Sequence, residues 1–292
     1  PPWDRRLDIA ILTHPHEDHV AGLPLLLARY RIGRLYETGM RGPGPGYAAL
    51  AAAVGPGGPG TAPPAAILAT GARVALDDVS LRVLWPDPGR VPREPPDTGR
   101  AINDASIVLL GEVAGRRFLL TGDVEDDVDP ILAARGLPPI DILKVAHHGS
   151  ATASGAAFLA AIRPRVAIVS AGADNRYGHP ARSTVEQLEA TGARVLRTDT
   201  DGSVGVTISP DGVIRVATGG PGRSAWTEDR TGAASPWTEG RPGGAASPWT
   251  GAARGGLAVL TAGAGGARRQ VVAPPSIAVP TIAFGCGIPS GG

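Results

Sequence analysis

The sequence predicts an α/β fold (α+β in some classification schemes) that is built in layers. Short apolar runs such as "LDIAIL" at 7–12 and "RVAIVSA" at 165–171 alternate with segments compatible with helices. Strands interleaved with helices are typical of layered α/β domains. The 42 glycines and 29 prolines of the 292 residues are spread unevenly. The chain therefore combines an ordered region with loop-rich and low-complexity segments.

The first elements surround a loop that is rich in histidine. The run at 7–12 is short and ends at a polar cluster, which favours a strand over a helix. "GLPLLLARYRI" follows as a helix, with Pro24 in its first turn, where proline is tolerated. A strand at "RLYET", a weak alanine-rich helix near 47–54 and a hairpin at "ARVALDDVSLRVLWP" come next.

The middle of the chain continues the alternation. "SIVLLGEVAGRRFLLTGD" contains two strands joined at Ala-Gly, and the second one ends on Asp123. The remaining predicted elements are a helix at about 124–136, the strand "DILKVA", a helix near 154–162, the strand "RVAIVSA", a helix around 183–191, the strand "ARVLRT" and a hairpin that ends near 217.

The composition changes after the last hairpin. "TGAASPWTEG" and "PGGAASPWTG" are imperfect copies of one another, and the segment is too poor in aliphatic residues to bury a core. We therefore predict one domain at 1–217 and a low-complexity, disordered tail at 218–292. The chain also begins with proline, and its first strand starts within seven residues. We interpret the sequence as a fragment of a longer protein.

Bulk properties exclude several classes of protein. The formal charge of +1 gives no basic footprint for nucleic acid. A single cysteine, Cys286, excludes a disulfide framework and a thiolate metal site. No apolar run approaches the roughly 18 residues of a membrane span. The sequence is that of a soluble protein or of the soluble part of a larger one.

Three of the six histidines lie in the loop "LTHPHEDHVAG". Alternate residues of an extended segment point the same way, so His14 and His16 can bind one cation while Asp18 and His19 turn toward a second. Imidazole together with carboxylate suits a first-row divalent metal. A histidine-rich surface loop is the alternative, but an acid within such tight spacing favours the metal site.

Two later segments end predicted strands and can complete such a site. "FLLTGD" presents Asp123, and "DILKVAHH" presents His147 and His148. Two metals about 3.5–4 Å apart would turn a bridging water into hydroxide near neutral pH. Ser150 then need not be catalytic, and a Ser-His-Asp site is disfavoured because the nucleophile elbow Gly-x-Ser-x-Gly is absent from the sequence.

These segments carry a resemblance. "THPHEDHVAG", "FLLTGD" and "LKVAHHGS", in this order, resemble the metallo-β-lactamase superfamily. "NDASIVLL", "SAGADNRYGHP" and "VLRTDTDGSVGV" further resemble the C-terminal hydrolase domain of ComEC-type competence proteins, which take up DNA through the bacterial membrane. The resemblance covers about 7–217 and implies a four-layer αββα sandwich with a dinuclear site at one edge of its sheets.

The resemblance also implies roles for individual residues. His14 and His16 would hold one metal, and Asp18 and His19 the other, with Asp123 bridging and His147 completing the second site. Asp18 and His148 are the catalytic candidates. The candidates for the substrate cleft, besides His148, are Asn175, His179, Ser150 and Asn103; for Asn175 and His179 a structural turn is the alternative, and for Asn103 a turn residue.

The sequence departs from the family pattern in two ways. Most of the superfamily supplies a further histidine before the Asp123 strand, whereas this chain offers Asn103 and Asp104. The first metal would then be weakly held, so that manganese or magnesium is as plausible as zinc. The strands that normally precede the histidine loop, including one like "Asp-Val-Gly-Gln-Gly-Asp", are missing, and we expect one sheet to have an open edge.

The expected function is that of a phosphodiesterase or nuclease with two divalent ions (zinc or manganese, with magnesium possible), acting on DNA during uptake. Hydroxide held by the ions would attack phosphorus, Asp18 would orient the water or accept its proton, and a metal or His148 would stabilise the departing oxygen.

The expected partners are DNA and a membrane channel of the same full-length protein, with the domain on the extracytoplasmic face. The sequence indicates no stable protein partner. The alternatives are a hydrolase of a small ester, thioester or lactam, and a degenerate domain that guides DNA without cutting it.

Overall fold

The protein was analysed as a computed structural model that describes residues 5–55, 63–219, 225–229, 257–260 and 281–284. Within these ranges, no helix is long and apolar enough to cross a membrane. The elements, in chain order, are β1 (Arg6–Leu12), α1 (Glu17–Val20), α2 (Leu23–Arg29), β2 (Arg31–Glu37), α3 (Pro45–Val54), β3 (Ala66–Ile67), β4 (Arg73–Leu76), β5 (Val79–Trp85), α4 (Arg100–Asn103), β6 (Val108–Val113), β7 (Arg116–Leu120), α5 (Asp129–Ala134), β8 (Ile142–Lys144), α6 (Ala156–Ile162), β9 (Val166–Val169), α7 (Arg182–Ala190), β10 (Arg194–Arg197), α8 (Thr198–Asp201), β11 (Val204–Ile208), β12 (Ile214–Thr218), β13 (Ala225–Asp229), β14 (Leu257–Leu260) and β15 (Thr281–Phe284).

The described strands form three sheets. The largest has seven strands in the order β10-β9-β8-β7-β6-β5-β4. Its β4–β7 part is antiparallel, and its β7–β10 part is parallel because α5, α6 and α7 lie between successive strands. A parallel sheet has the order β14-β1-β2-β3, and an antiparallel sheet has the order β13-β12-β11-β15.

Alternating side chains divide the interior into layers. In β1, Ile9 and Ile11 face a core shared with the seven-stranded sheet, β11 and β12, whereas Ala10 and Leu12 face α1, α2 and α3. In β6, Leu109 joins that central core, and the next residue packs toward α5, α6 and α7 on the opposite face. Helices therefore cover both outer faces of two packed layers of sheet. This is the αββα arrangement that the resemblance predicts, and the predicted fold class is confirmed.

Most predicted elements are present with shifted ends. The helix predicted from Gly22 ends at Arg29, and Arg31 already begins β2. The helix predicted at 124–136 is shorter, because residues 126–128 form a turn before α5 begins at Asp129, and the helix ends at Ala134. Pro24 lies in the first turn of α2, as expected.

Three strands fall within the segment predicted to be a disordered tail. β14 pairs in parallel with β1, with Ile9 opposite Leu257, while β13 and β15 extend the antiparallel sheet. This pairing gives β1 a neighbouring strand on each side, β14 and β2, whereas the sequence predicts that one sheet has an open edge. It satisfies backbone N–H and C=O groups that an edge strand leaves unpaired. The rest of the predicted tail lies outside the described residues, and the boundary at 217 stays a prediction.

Candidate metal centre

The loop after β1 directs one histidine into the interior. His14 is completely buried, and its Nδ1 lies 3.0 Å from Ser106 Oγ and 3.2 Å from Thr13 Oγ1. With the ring proton on Nδ1, these hydroxyls accept it and leave the Nε2 lone pair free. His14 Nε2 is buried without a hydrogen-bond partner and lies 3.9 Å from Asp123 Oδ2. An unpartnered imidazole nitrogen beside a carboxylate fits a cation ligand.

The next histidine of the loop is engaged elsewhere. His16 is the N-cap residue of α1, and its Nε2 lies 3.0 Å from the carbonyl oxygen of Thr98. Its ring centroid is 5.0 Å from that of His14 in an edge-on arrangement. The two histidines predicted to share one metal are therefore adjacent, but only His14 has a free nitrogen directed at Asp123.

Helix α1 and the turn after β7 bring three predicted ligands together. Asp18 and His19 lie on α1, and the Asp123 backbone N–H donates to Ser106 Oγ at 3.0 Å, which fixes this turn beside His14. His19 Nε2 lies 3.2 Å from Asp123 Oδ2 and 3.6 Å from Asp18 Oδ2. Residues from distant parts of the sequence thus converge.

A short 3-10 turn after β8, Ala146–Gly149, supplies the remaining histidines. His147 and His148 both have left-handed backbone angles, with φ of 46° and 53°. Such conformations cost on the order of 1–3 kcal/mol each in a non-glycine residue and often mark functional sites. The turn directs His148 inward, where its Nδ1–H donates to the Ser170 carbonyl at 2.7 Å. This bond orients Nε2 toward the aspartates.

Asp18, His19, Asp123 and His148 form one candidate metal cluster, in which one ligand atom from each lies within 4.8 Å of the others. His148 Nε2 lies 3.1 Å from Asp123 Oδ2, 3.2 Å from Asp18 Oδ2 and 3.3 Å from His19 Nε2. Two imidazoles and two carboxylates are a donor set for zinc, manganese or iron. The residues present therefore fit a divalent cation.

The electrostatics of this cluster favour a positive charge at its centre. Burial by itself disfavours the charged form of Asp123, but the charges of His148, His19 and Lys144 outweigh it and hold the pKa of Asp123 well below its usual range. Burial also opposes the charged form of His148, yet Asp123 and Asp18 raise the pKa of His148 to about 10. The two carboxylates therefore remain ionised and bind a cationic group between them.

His147 occupies a different position from the one we predicted. We expected His147 to complete the second cation site and His148 to face the substrate. Instead, His148 joins the cluster, while His147 Nδ1 lies 3.5 Å from Glu125 Oε1. Asn103 Nδ2 donates to the same Glu125 oxygen at 2.8 Å and lies 3.5 Å from His147 Nε2. Consecutive left-handed residues send the two rings in different directions, which strand periodicity does not predict.

The other predicted substrate residues separate into two groups. The His179 ring lies 5.5 Å from the His147 ring, at the edge of the cluster. Asn175 is used within its own turn, since its amide donates to the carbonyls of Gly172 and His179 at 2.6 Å each and accepts the His179 N–H at 2.9 Å. Ser150 is buried, with its hydroxyl 3.0 Å from Thr152 Oγ1. Both have local structural roles in these contacts.

Sequence reasoning missed Lys144. It is the only lysine of the chain, it is completely buried, and its Nζ lies 3.6 Å from Asp123 Oδ1 and donates to the Gly122 carbonyl at 3.2 Å. Asp123 Oδ2 faces the histidines, so the lysine neutralises the opposite side of the same carboxylate. A lone lysine inside an apolar strand, directly before the histidine pair, was the available signal.

Comparisons with known proteins agree with the geometry. The profile of the metallo-beta-lactamase superfamily (Lactamase_B) matches residues 4–173. ComE operon protein 3 of Bacillus subtilis (strain 168) is 34% identical over 205 residues, which are 68% of this chain and 24% of that protein. Recombination protein 2 of Haemophilus influenzae is 39% identical over 112 residues, 38% of this chain and 14% of that protein. Competence protein ComA of Neisseria gonorrhoeae is 34% identical over 113 residues, which are 38% of this chain and 16% of that protein.

The predicted resemblance to ComEC-type competence proteins is thereby confirmed, and the chain spans about a quarter or less of the length of these relatives. Weaker similarity is found among solved structures. The diiron β-hydroxylase CmlA of Streptomyces venezuelae has a TM-score of 0.43 and 15% identity, covering 66% of this chain and 44% of that one. Zinc-bound PqqB of Methylobacterium extorquens has a TM-score of 0.38 and 16% identity, and the match covers 65% of this chain and 71% of that one.

Proposed function

Because the chain belongs to the metallo-β-lactamase superfamily, we propose that it is a metal-dependent phosphodiesterase, acting as the nuclease domain of a DNA-uptake protein. The observation that carries this proposal is the convergence of Asp18, His19, Asp123 and His148. These residues would hold one divalent ion, and His14 with Asp123 would contribute to a second. When bound, such ions supply Lewis-acid activation of water and neutralise charge on a phosphate.

The chain's own residues have complementary parts in this reaction. The Asp18 side chain is 35% exposed, whereas those of His19 and Asp123 are buried, so Asp18 reaches the cleft. Hydrogen bonding from His148 and the charge of His19 outweigh its burial and lower the pKa of Asp18, which is therefore ionised at neutral pH. We assign to Asp18 the orientation of the attacking water and the acceptance of its proton.

A phosphate substrate is supported by the imidazoles at the edge of the cluster. His147 is partly exposed, and its ring lies 5.5 Å from that of His179. Both rings carry N–H groups that can donate to phosphoryl oxygens, and His147 Nδ1 lies 3.5 Å from Glu125 Oε1. We assign to His147 the donation of a hydrogen bond to the departing oxygen.

The biological setting is also a proposal. One relative is named a competence protein and another a recombination protein, and these names are consistent with a DNA substrate. The relatives are much longer than this chain. We propose that the domain works on the extracytoplasmic face as one part of such a protein, beside a membrane channel contributed by the remainder.

The proposal is tested by offering the full chain, loaded with manganese or zinc, four substrates: linear DNA, bis(p-nitrophenyl) phosphate, a thioester and a β-lactam. We expect cleavage of the first two, loss of that activity in Asp18→Ala, and full activity in Asp78→Ala, which alters an exposed carboxylate in the β4–β5 turn. Cleavage of only the thioester or the lactam would identify a small-molecule hydrolase.

A second candidate function rests on His16. The His16 Nε2 atom lies against the Thr98 carbonyl, so the His14 side of the site has fewer free metal-ligand atoms than the cluster of Asp18, His19, Asp123 and His148. A domain that binds one cation and guides DNA without cutting it would have this asymmetry. Metal-loaded protein that binds DNA but leaves it intact, with Asp18→Ala behaving identically, would establish this alternative.

A further inference from the structure

An exposed aromatic side chain is connected to the metal cluster through two histidine rings and has no part in the reaction described above. Tyr177 is 61% exposed, an unusual degree for a large ring. It stacks on His179, with ring centroids 5.9 Å apart and an angle of 19° between the planes. His179 in turn lies 5.5 Å from His147, whose ring is 6.3 Å from that of His148. A row of four rings therefore leads from solvent to the cluster.

The turn that presents Tyr177 is held in place. All three hydrogen bonds of the Asn175 amide close this turn, and the Ala181 N–H donates to the Gly149 carbonyl, which ties it to the histidine-bearing turn. Gly178 has a φ of 69°, which glycine adopts at no steric cost. A ring held in position before binding loses less conformational entropy when a ligand stacks on it.

A positive charge accompanies the ring. The guanidinium carbon of Arg176 lies 5.3 Å from the Tyr177 ring centroid, and Nη2 donates to the tyrosine hydroxyl at 3.3 Å. Arg176 is exposed, so its side chain can move to meet a phosphate, and its planar guanidinium can itself stack on a base. An aromatic face with an adjacent cation is the combination that single-stranded nucleic acids require.

We propose that Tyr177 and Arg176 form a stacking site for a nucleobase that flanks the scissile phosphate, and that the substrate is therefore single-stranded nucleic acid. The inference deepens the proposed function and rests on it. In a duplex each base is already stacked and paired, and exposing it costs a few kcal/mol. A single strand offers its base to Tyr177 while its phosphate lies at the cluster.

The test compares Tyr177→Ala with Tyr177→Phe, which keeps the ring and removes the hydroxyl. For a single-stranded oligonucleotide we expect Tyr177→Ala to raise KM about tenfold and Tyr177→Phe to change it by less than about twofold. Oligonucleotides with one abasic site at successive positions give a second readout. At one position the missing base should weaken binding to the wild type but not to Tyr177→Ala, a pattern that a merely structural role would not produce.

Binding of the same oligonucleotides without metal, followed by 2-aminopurine fluorescence, makes this comparison independent of cleavage. Equal effects of Tyr177→Ala on all abasic substrates, or duplex DNA cleaved as fast as single strands, would overturn the stacking site. The proposed function fails separately, if wild-type protein does not hydrolyse bis(p-nitrophenyl) phosphate. Persistence of that hydrolysis together with an unchanged oligonucleotide KM in Tyr177→Ala would refute the stacking site alone.

Discussion

Two buried aspartates on the connection after β7 behave in opposite ways. Asp123 is 2% exposed and Asp129 is 5% exposed, so each loses nearly all contact with water. The pKa of Asp123 lies well below its usual range, whereas burial raises the pKa of Asp129 to about 6. The fold therefore keeps one buried carboxylate charged and lets the other tend toward its neutral form.

The difference is explained by their neighbours. Asp123 meets His19, His148 and Lys144 within 4 Å, and these groups stabilise its negative charge. Asp129 accepts one hydrogen bond, from the Gly155 N–H at 2.6 Å, which joins α5 to the start of α6, and its Oδ1 has no partner. Cationic neighbours keep a buried carboxylate ionised, and only an ionised carboxylate is a good ligand for a metal cation. We therefore assign function to Asp123 and a structural role to Asp129.

The largest expected effect comes from Asp123→Asn. The amide removes the negative charge that both sides of the metal site share, so we expect phosphodiesterase kcat/KM to fall on the order of a thousandfold or more. Bound metal, measured by elemental analysis after gel filtration, should fall from two ions to one or none. The matched variant Asp129→Asn should retain both metal and activity; a loss of metal in that variant would contradict the comparison.

The second expected effect separates the two adjacent histidines. His148 contacts Asp123 and Asp18, whereas His147 contacts Glu125 and Asn103. We expect His148→Ala to weaken metal binding and to lower kcat about a hundredfold, and His147→Ala to lower kcat about tenfold with normal metal affinity. Calorimetric titration with manganese measures the affinity. A larger loss of metal affinity in His147→Ala than in His148→Ala would instead support the roles predicted from the sequence, with His147 as the metal ligand and His148 facing the substrate.

Lys144→Met gives the third expected effect. Methionine matches much of the lysine volume but leaves Asp123 without its buried counter-charge, so metal-free protein should lose on the order of 3 kcal/mol of unfolding free energy. Metal affinity should fall about tenfold to a hundredfold because Asp123 loses the group that orients it, so the stability deficit relative to wild type should be larger with metal than without it. Thermal unfolding with and without manganese measures both. Equal destabilisation in the two conditions would mean that Lys144 acts only through packing.

The sequence predicts which strand ends carry the site better than it predicts the positions of individual side chains. His14, His19 and Asp123 follow strands that a short apolar run identifies, and neighbouring strands bring their ends to one edge. Local periodicity does not predict left-handed backbone angles, and with these angles the structure places His148 in the cluster and His147 beside Glu125. The Asn175 turn is local, but the position of Lys144 beside Asp123 and that of the turn beside His147 depend on contacts between distant segments, which composition and spacing do not reveal.

Asp129→Asn tests the structural half of the comparison and has the smallest expected effect. Because the pKa of Asp129 rises from its ordinary 3.8 to about 6 on folding, the stability that it contributes is complete below about pH 3.8 and is lost as the pH rises through 6. Asparagine keeps an acceptor for the Gly155 N–H and does not ionise. The variant should therefore gain stability relative to wild type between pH 4 and pH 7, by on the order of 2–3 kcal/mol.

Urea unfolding of metal-free protein at several pH values measures this difference. Both proteins share every other titrating group, so subtracting their unfolding free energies isolates Asp129. Asp78→Asn, which neutralises an exposed carboxylate in the β4–β5 turn, is the control for the loss of one negative charge. A wild-type-minus-variant difference that stays constant across pH 6 would mean that Asp129 is ionised as readily as in the unfolded chain. The contrast with Asp123 would then fail, because the two buried carboxylates would both be ionised at neutral pH despite their different neighbours.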